Sequence, residues 1–258
     1  MRIIVLNSGS NGNAIYVESA ETGTGVLLDC GLSRRQIETR LKIHGRFPSS
    51  IRGIFITHEH GDHIRGLPGM SKAYKIPAHM TEQTFRQYWR KDMLKGYRFM
   101  GMQESVTIHD VTVRSFPKSH DAADPVFFRV SVGEKSFLYV TDLGVHNEQL
   151  TALLPQVDGM LLESNYDADM LRNGSYPEFL KQGIMSDIGH LSNKDARRLL
   201  EKHTDGRLRL LILGHLSEHN NTPELVAAEM DALLDRKEGF RPLVHVASRH
   251  DVSEVFEL

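Results

Sequence analysis

Four short runs in this 258-residue chain are apolar almost throughout: Gly25–Asp29 (GVLLD), Gly53–Thr57 (GIFIT), Gly159–Glu163 (GMLLE) and Leu208–Leu213 (LRLLIL). A strand with one wet face alternates apolar and polar residues, whereas an unbroken run is covered on both faces. The helices needed to cover them are legible as well. Arg34–His44 has helical spacing with Ser33 as its N-cap, and Thr81–Lys95, Ser175–Met185, Asn193–His203 and Pro223–Arg236 follow the same period. Arg2–Leu6, Ala14–Glu18, Lys75–Ala78, Ser105–Ile108, Val111–Phe116, Val126–Val132, Ser136–Thr141 and a last strand at Leu243–Ala247 complete the reading. Strand-rich blocks thus alternate twice with strand–helix units. The expected class is α/β (α+β), a four-layer αββα sandwich of two mixed sheets flanked by helices. No linker is long or polar enough to split residues 1–258, so one domain is expected.

Composition narrows the function. The net charge is −2, so nucleic-acid binding requires a local patch rather than a global attraction. No window approaches a membrane span, and the amino terminus lacks a signal-peptide core. The single cysteine, Cys30, excludes an internal disulfide and fits a reducing cytoplasm; beside Asp29 it reads as a small buried residue. Histidine, present 14 times, is the outlier.

Its densest cluster is His58-Glu59-His60-Gly61-Asp62-His63, directly after GIFIT. In extended backbone His58 and His60 point to one side and can converge on one ion. Asp62 and His63, at the turn into a short helix, can face a second, with Gly61 permitting the tight backbone. Imidazole and carboxylate suit a borderline transition metal. Further donors stand just beyond other apolar runs: His120 in PKSHDAADP, Asp142 after KSFLYVT and His215 after LRLLILG. The tetrapeptide GHLS occurs twice, around His190 before a helix and around His215 after a strand. The two copies are therefore not one structural repeat.

Asp29, HEHGDH, His120, Asp142 and His215, in this order, resemble the five motifs of the metallo-β-lactamase superfamily, and the match runs through nearly the whole chain. The resemblance implies that His58, His60 and His120 hold one metal and that Asp62, His63 and His215 hold the other. Asp142 bridges them, and Asp29 fixes the loop that carries the histidines. A bridging aspartate, where β-lactamases commonly carry cysteine, fits phosphodiester and thioester hydrolases. His60 is retained where oxidoreductase members tend to carry glutamate. The segments SGSNGN, LLDCG, ESNYD, GHLSN and LGHLSEHNNTPE resemble the WalJ/YycJ-type single-domain group of exonuclease-like character, related to the ribonuclease Z and small-phosphodiesterase branches. There is no room for the inserted domain of ribonuclease J-type nucleases.

The implied cofactors are two divalent ions, zinc or manganese, with iron admitted by the same nitrogen and oxygen donors. The expected nucleophile is a hydroxide between them. Asp62, His190 and Glu163 are the candidate catalytic residues: His190 protonates the leaving group or grips the phosphate, and Glu163 orients its ring, as the equivalent pair does in ribonuclease Z. The implied substrate is nucleic acid, DNA first. Arg86, Arg90, Lys91, Lys95 and Arg98, interleaved with Phe85, Tyr88, Trp89, Tyr97 and Phe99, form a candidate contact surface. The competing reading of that segment is an amphipathic helix with its aromatics in the core and its charges solvated. Two rival functions remain: a small-molecule hydrolase (cyclic phosphodiesterase, lactonase or thioesterase), and a non-enzymatic binding module on the same fold.

Overall fold

Every residue of the GMLLE strand is buried, as is every residue of the strand before the second GHLS. A computed structural model describes residues 1–258 and places such strands at the centre of the chain's sheets. Strands β1 (Arg2–Asn7), β2 (Ala14–Glu18) and β3 (Gly25–Leu28) lead into α1 (Arg34–Ile43), β4 (Ile51–Phe55), α2 (Gly61–Ile64) and α3 (Leu67–Tyr74). Next come β5 (Ala78–Met80), α4 (Glu82–Gln87), β6 (Tyr97–Phe99), β7 (Ser105–Ile108), β8 (Val111–Pro117), β9 (Val126–Val132) and β10 (Lys135–Val140). The rest is α5 (Glu148–Leu153), β11 (Gly159–Glu163), α6 (Ala168–Asn173), α7 (Glu178–Ile184), α8 (Asn193–His203), β12 (Leu210–Gly214), α9 (Pro223–Arg236), β13 (Leu243–Val246) and β14 (Phe256–Glu257).

Two compact units emerge. The first comprises Met1–Pro117, Ala122–Lys135 and Ser248–Leu258. Its sheet has the order β14-β1-β2-β3-β4-β5-β6, antiparallel from β14 to β3 and parallel from β3 to β6. An antiparallel meander, β7-β8-β9, belongs to the same unit, where Phe55 meets Phe128 edge-on at 6.0 Å. Helix α1 starts at a complete capping box: Ser33 Oγ accepts from Gln36 N, and Gln36 Oε1 accepts from Ser33 N at 3.0 Å. Its Ile37 and Leu41 are buried in the core that also holds Leu27, Ile54 and Met70.

The second unit comprises Lys118–Asp121 and Ser136–Ala247. Strands β10, β11, β12 and β13 lie parallel in it, with Val140 beside Leu162, Leu162 beside Leu213 and Leu213 beside Val246. The carboxyl ends of these four neighbouring strands therefore stop at one level. Parallel strands need helical crossovers, and α6, α7 and α8 supply one between β11 and β12.

Four local expectations fail. The strand expected over Lys75–Ala78 is found at Ala78–Met80, because α3 runs to Tyr74 and Lys75 caps it in the left-handed conformation. The helix expected over Thr81–Lys95 stops at Gln87, because Tyr88 turns extended and its ring enters the core at 2 % exposure. The helix expected from Ser175 starts at Glu178, where Pro177 takes the N-cap position. Leu243–Val246 is not the last strand, since Phe256–Glu257 returns to pair with β1.

Candidate functional site

In the first unit the donors gather at the carboxyl end of β4. Leu28 pairs with Phe55, so Asp29 lands beside the start of the histidine loop. It adopts φ 56°, an uncommon conformation for a non-glycine residue. Asp29 Oδ1 accepts from Thr57 N at 2.8 Å, and Oδ2 accepts from His63 Nδ1 at 2.7 Å. Thr57 Oγ1 donates to the same carboxylate and lies 2.9 Å from His58 Nδ1. One fully buried aspartate thus fixes two histidines, directly or through a threonine. The rings of His58 and His60 are 4.6 Å apart, and those of His58 and His63 4.1 Å. Asp62 Oδ2 lies 3.4 Å from His63 Nε2.

Two features of this loop were not foreseen. Asn13, in the SGSNGN turn, points its amide at Asp62 Oδ2 (3.3 Å) and His63 Nε2 (3.1 Å), and its backbone N donates to Asp62 O at 2.7 Å. Asparagines in a Gly/Ser-rich turn read as turn formers, and only their proximity to the loop separates this one. Gly31 is the second: a Cβ there would overlap the Asp62 carbonyl, so the LLDCG glycine lets the histidine loop close against it. Gly61, expected to permit a tight turn, has no positive φ and begins α2; a side chain there would meet only open space. Cys30 is fully buried, and burial raises its thiol pKa.

In the second unit the strand-end register does the same work. Asp142 follows β10, Glu163 ends β11, and His215 follows β12, whose Gly214 pairs with Glu163. Asp142 and His215 both take positive φ, 52° and 56°. With Asp29, half of the six non-glycine residues of positive φ are candidate site residues, a clustering typical of functional positions. Glu163 Oε1 accepts from His190 Nδ1 and from His215 Nδ1, each at 2.8 Å. Its Oε2 accepts from Leu143 N (2.7 Å) and Leu191 N (3.1 Å). The two GHLS histidines therefore share one buried carboxylate. Expectation gave Glu163 only His190; its hold on His215 is new, and Asn165 Nδ2 adds a bond to His215 O at 2.8 Å. Asp142 Oδ1 lies 3.4 Å from His215 Nε2, 3.8 Å from His190 Nδ1 and 3.9 Å from His120 Nε2. Gly189 sets the first copy's entry, because a Cβ there would overlap the carbonyls of Gly183 and Ile184.

Charge follows this geometry. Burial lowers the His120 pKa to about 3, against the raising pull of Asp142. At His190 burial acts downward as well, but Glu163 and Asp142 overcome it and the net direction is up. At Glu163 burial would raise the pKa; the two histidines reverse that and hold it low, as a carboxylate.

The donor sets fit divalent metal. His63, His120 and His215 each commit Nδ1 to an oxygen, leaving Nε2 as the lone-pair nitrogen, and carboxylates stand beside them. In the second unit Asp142 Oδ1 lies 3.4 Å from His215 Nε2 and 3.9 Å from His120 Nε2, so these three candidate ligand atoms face one another.

The basic–aromatic segment is only partly helical. Arg86 pairs with Glu82 at 2.7 Å on α4, and the Lys91 ammonium bonds Arg86 O at 3.0 Å. Lys95 and Arg98 are exposed. Of the aromatics Tyr88 is core, while Trp89, Tyr97 and Phe99 are exposed, so the core-facing helix reading fails for three of them.

Strand-end histidines and carboxylates over such sheets define a class of metal-dependent hydrolases, and comparison with known proteins gives the family. Residues 24–215 match the family described as "Beta-lactamase superfamily domain". The chain is 36% identical over 231 residues to exodeoxyribonuclease WalJ of Streptococcus pneumoniae, covering 88% of this chain and 85% of that protein. It is 33% identical over 236 residues to exodeoxyribonuclease YycJ of Bacillus anthracis, covering 90% and 89%. Among solved structures, the metallo-β-lactamase fold protein YhfI of Bacillus subtilis superposes with a TM-score of 0.74 at 16% identity, over 99% of this chain and 98% of that one. The chain belongs to the β-lactamase superfamily. Its fold is the metallo-β-lactamase α/β fold of two mixed sheets flanked by helices, as expected.

Proposed function

We propose that the protein is a dinuclear metal-dependent phosphodiesterase that digests DNA, in the manner of an exonuclease. The observation that carries this reading is its 36% identity, over 88% of the chain, to an exodeoxyribonuclease. The donors at the strand ends support it: His58, His60 and His120 as ligands of one ion, Asp62, His63 and His215 of the other, Asp142 shared. The family match runs through residues of both units, which supports reading 1–258 as one functional domain. Zinc or manganese suits the all-nitrogen and oxygen set, with iron next.

When bound, such a pair of ions supplies an activated water and positive charge for the phosphoryl oxygens. The chain's own residues do the rest. Asp29 and Thr57 hold His58 and His63 in the tautomer that puts the lone pair on Nε2, where a metal would be held. Glu163 holds His190 by Nδ1, so the proton that His190 gives to a departing sugar oxygen is the one on Nε2. Arg86, Arg90, Lys91, Lys95 and Arg98 provide cations for the backbone phosphates. No helix is long and apolar enough to cross a membrane, and the lone cysteine supports a reducing compartment such as the cytoplasm.

The test is incubation with end-labelled DNA and RNA, single- and double-stranded, with zinc, manganese or iron in turn. Metal-dependent shortening of DNA from one end is the expected result. Turnover of a cyclic phosphodiester, lactone or thioester with all polynucleotides left intact would replace this reading with the small-molecule one.

A further inference from the structure

A small pocket opens beside the histidine loop within the first unit. It measures about 130 Å³, its accessible wall is almost wholly apolar, and it is lined by Gly61, Ile64, Arg65, Tyr88, Trp89 and Arg90. Gly61 stands between two candidate metal ligands, His60 and Asp62. The pocket is therefore one residue away from the candidate chemistry.

Its lining has three distinct parts. Trp89, the chain's only tryptophan, is 69% exposed. The Arg90 guanidinium lies 4.0 Å over one face of its ring, and that degree of exposure leaves the other face open. Tyr88, 2 % exposed and part of the hydrophobic core, backs the pocket from the inside. Finally, the residue nearest the loop is a glycine with open space where a side chain would stand. Two cations, Arg65 and Arg90, line this apolar slot.

We propose that this pocket is a nucleobase subsite, in which Trp89 stacks on an unpaired base next to the phosphate being cleaved. The occupant follows from the combination. An open indole face takes any flat aromatic ring; flanking guanidiniums select a ring that carries phosphate; a slot beside Gly61 selects the nucleotide adjacent to the scissile bond. A base inside a duplex cannot enter, so the subsite reads a single strand or a frayed end. It carries no sequence preference, because every base offers a π face. This inference rests on the nuclease reading and assigns that site its neighbouring nucleotide.

The lone tryptophan makes the test direct. The full chain is titrated with a phosphorothioate dT oligomer that resists hydrolysis, following Trp89 emission and, separately, anisotropy of a label on the strand. An abasic strand of equal length is the control. Saturable quenching of Trp89 by the dT strand is expected. Trp89→Ala should weaken dT binding roughly tenfold, Trp89→Phe should recover most of it, and both should bind the abasic strand like the wild type. The salt slope of Trp89→Ala should match the wild type, since the ring neutralises no phosphate. Unchanged emission while the labelled strand binds and DNA is digested would overturn the base subsite and leave the nuclease reading standing. Equal loss of the dT and abasic strands in Trp89→Ala would overturn it too. Emission that follows protein concentration and ignores the strand would assign Trp89 to self-association instead. No binding of any strand, with no digestion, would remove both readings.

Discussion

A single carboxylate, Glu163, holds the histidines of both GHLS copies at 2.8 Å, so their difference must come from what else each ring faces. His215 Nε2 points at Asp142 Oδ1 at 3.4 Å and its side chain is nearly buried, whereas the His190 side chain is 23% exposed. His215→Ala is therefore expected to lower bound metal toward one equivalent. His190→Ala should keep two and slow turnover most for poor leaving groups, read by elemental analysis beside rates on a good and a poor phosphodiester. Metal loss in His190→Ala alone would reverse the assignment. A second residue makes a claim about stability. His79 is buried, stacks on Phe55 at 4.6 Å and has no partner for either ring nitrogen; burial lowers its pKa from 6.5 to about 4, with Arg98 adding to the effect. The folded form thus stays neutral while the unfolded chain takes a proton near 6.5, so stability falls as pH drops from 6.5 toward 4. At pH 5 the loss from this residue is about 2 kcal/mol. Denaturant unfolding of His79→Phe should show that much less acid sensitivity than the wild type, and parallel pH profiles would exclude His79. At this scale the donors were legible because histidines and acids directly after apolar runs are chemically conspicuous. Asn13, Asn165 and Thr57 were not, since amides and hydroxyls are common in turns and only tertiary placement gives them work.

Among the elements, long amphipathic or wholly apolar segments were read almost to the residue: α8 and α9 coincide with expectation, and α1 ends one residue early. The failures occur where tertiary burial overrides local pattern. The spacing over Thr81–Lys95 is helical, but burying Tyr88 ends α4 at Gln87 and sends the following aromatics to the surface. Two residues, Phe256 and Glu257, are too few to carry a period, so β14 had no signal of its own. The break after α4 changes what the basic residues do. Arg86 is tied to Glu82 and the Lys91 ammonium to a carbonyl, while Arg90 covers Trp89. Replacing Arg90 and Lys91 by alanine should weaken DNA binding and shallow its log-salt slope by about one to two, with hydrolysis of a small chromogenic phosphodiester nearly unchanged. Binding isotherms at several salt concentrations measure this. Equal loss on both substrates would make the segment structural, and no loss on either would remove it from substrate contact.

At the scale of the whole molecule, the fold class was legible and the partition of the chain was not. Strand–helix alternation points to two sheets with outer helices, but no composition change marks Lys118–Asp121 as belonging with Ser136–Ala247, because that grouping is set by contacts distant in sequence. The net charge of −2 offers DNA no general attraction, so both binding and stability must come from local features. The candidate metal donors are the largest of these. They are drawn from segments as far apart in sequence as His58 and His215, and an unfolded chain cannot present them together. Ions that bind only the folded state stabilise it by mass action, about 2.7 kcal/mol per site at a hundredfold excess over Kd. For a chain of this size one such site raises the melting temperature by roughly 5–10 °C. Protein stripped with a chelator and then given zinc or manganese should therefore melt at least that much higher. His215→Ala should keep only part of the gain, and Trp89→Ala all of it. A melting temperature indifferent to every divalent ion, in protein that still melts cooperatively, would remove metal from the account of this fold.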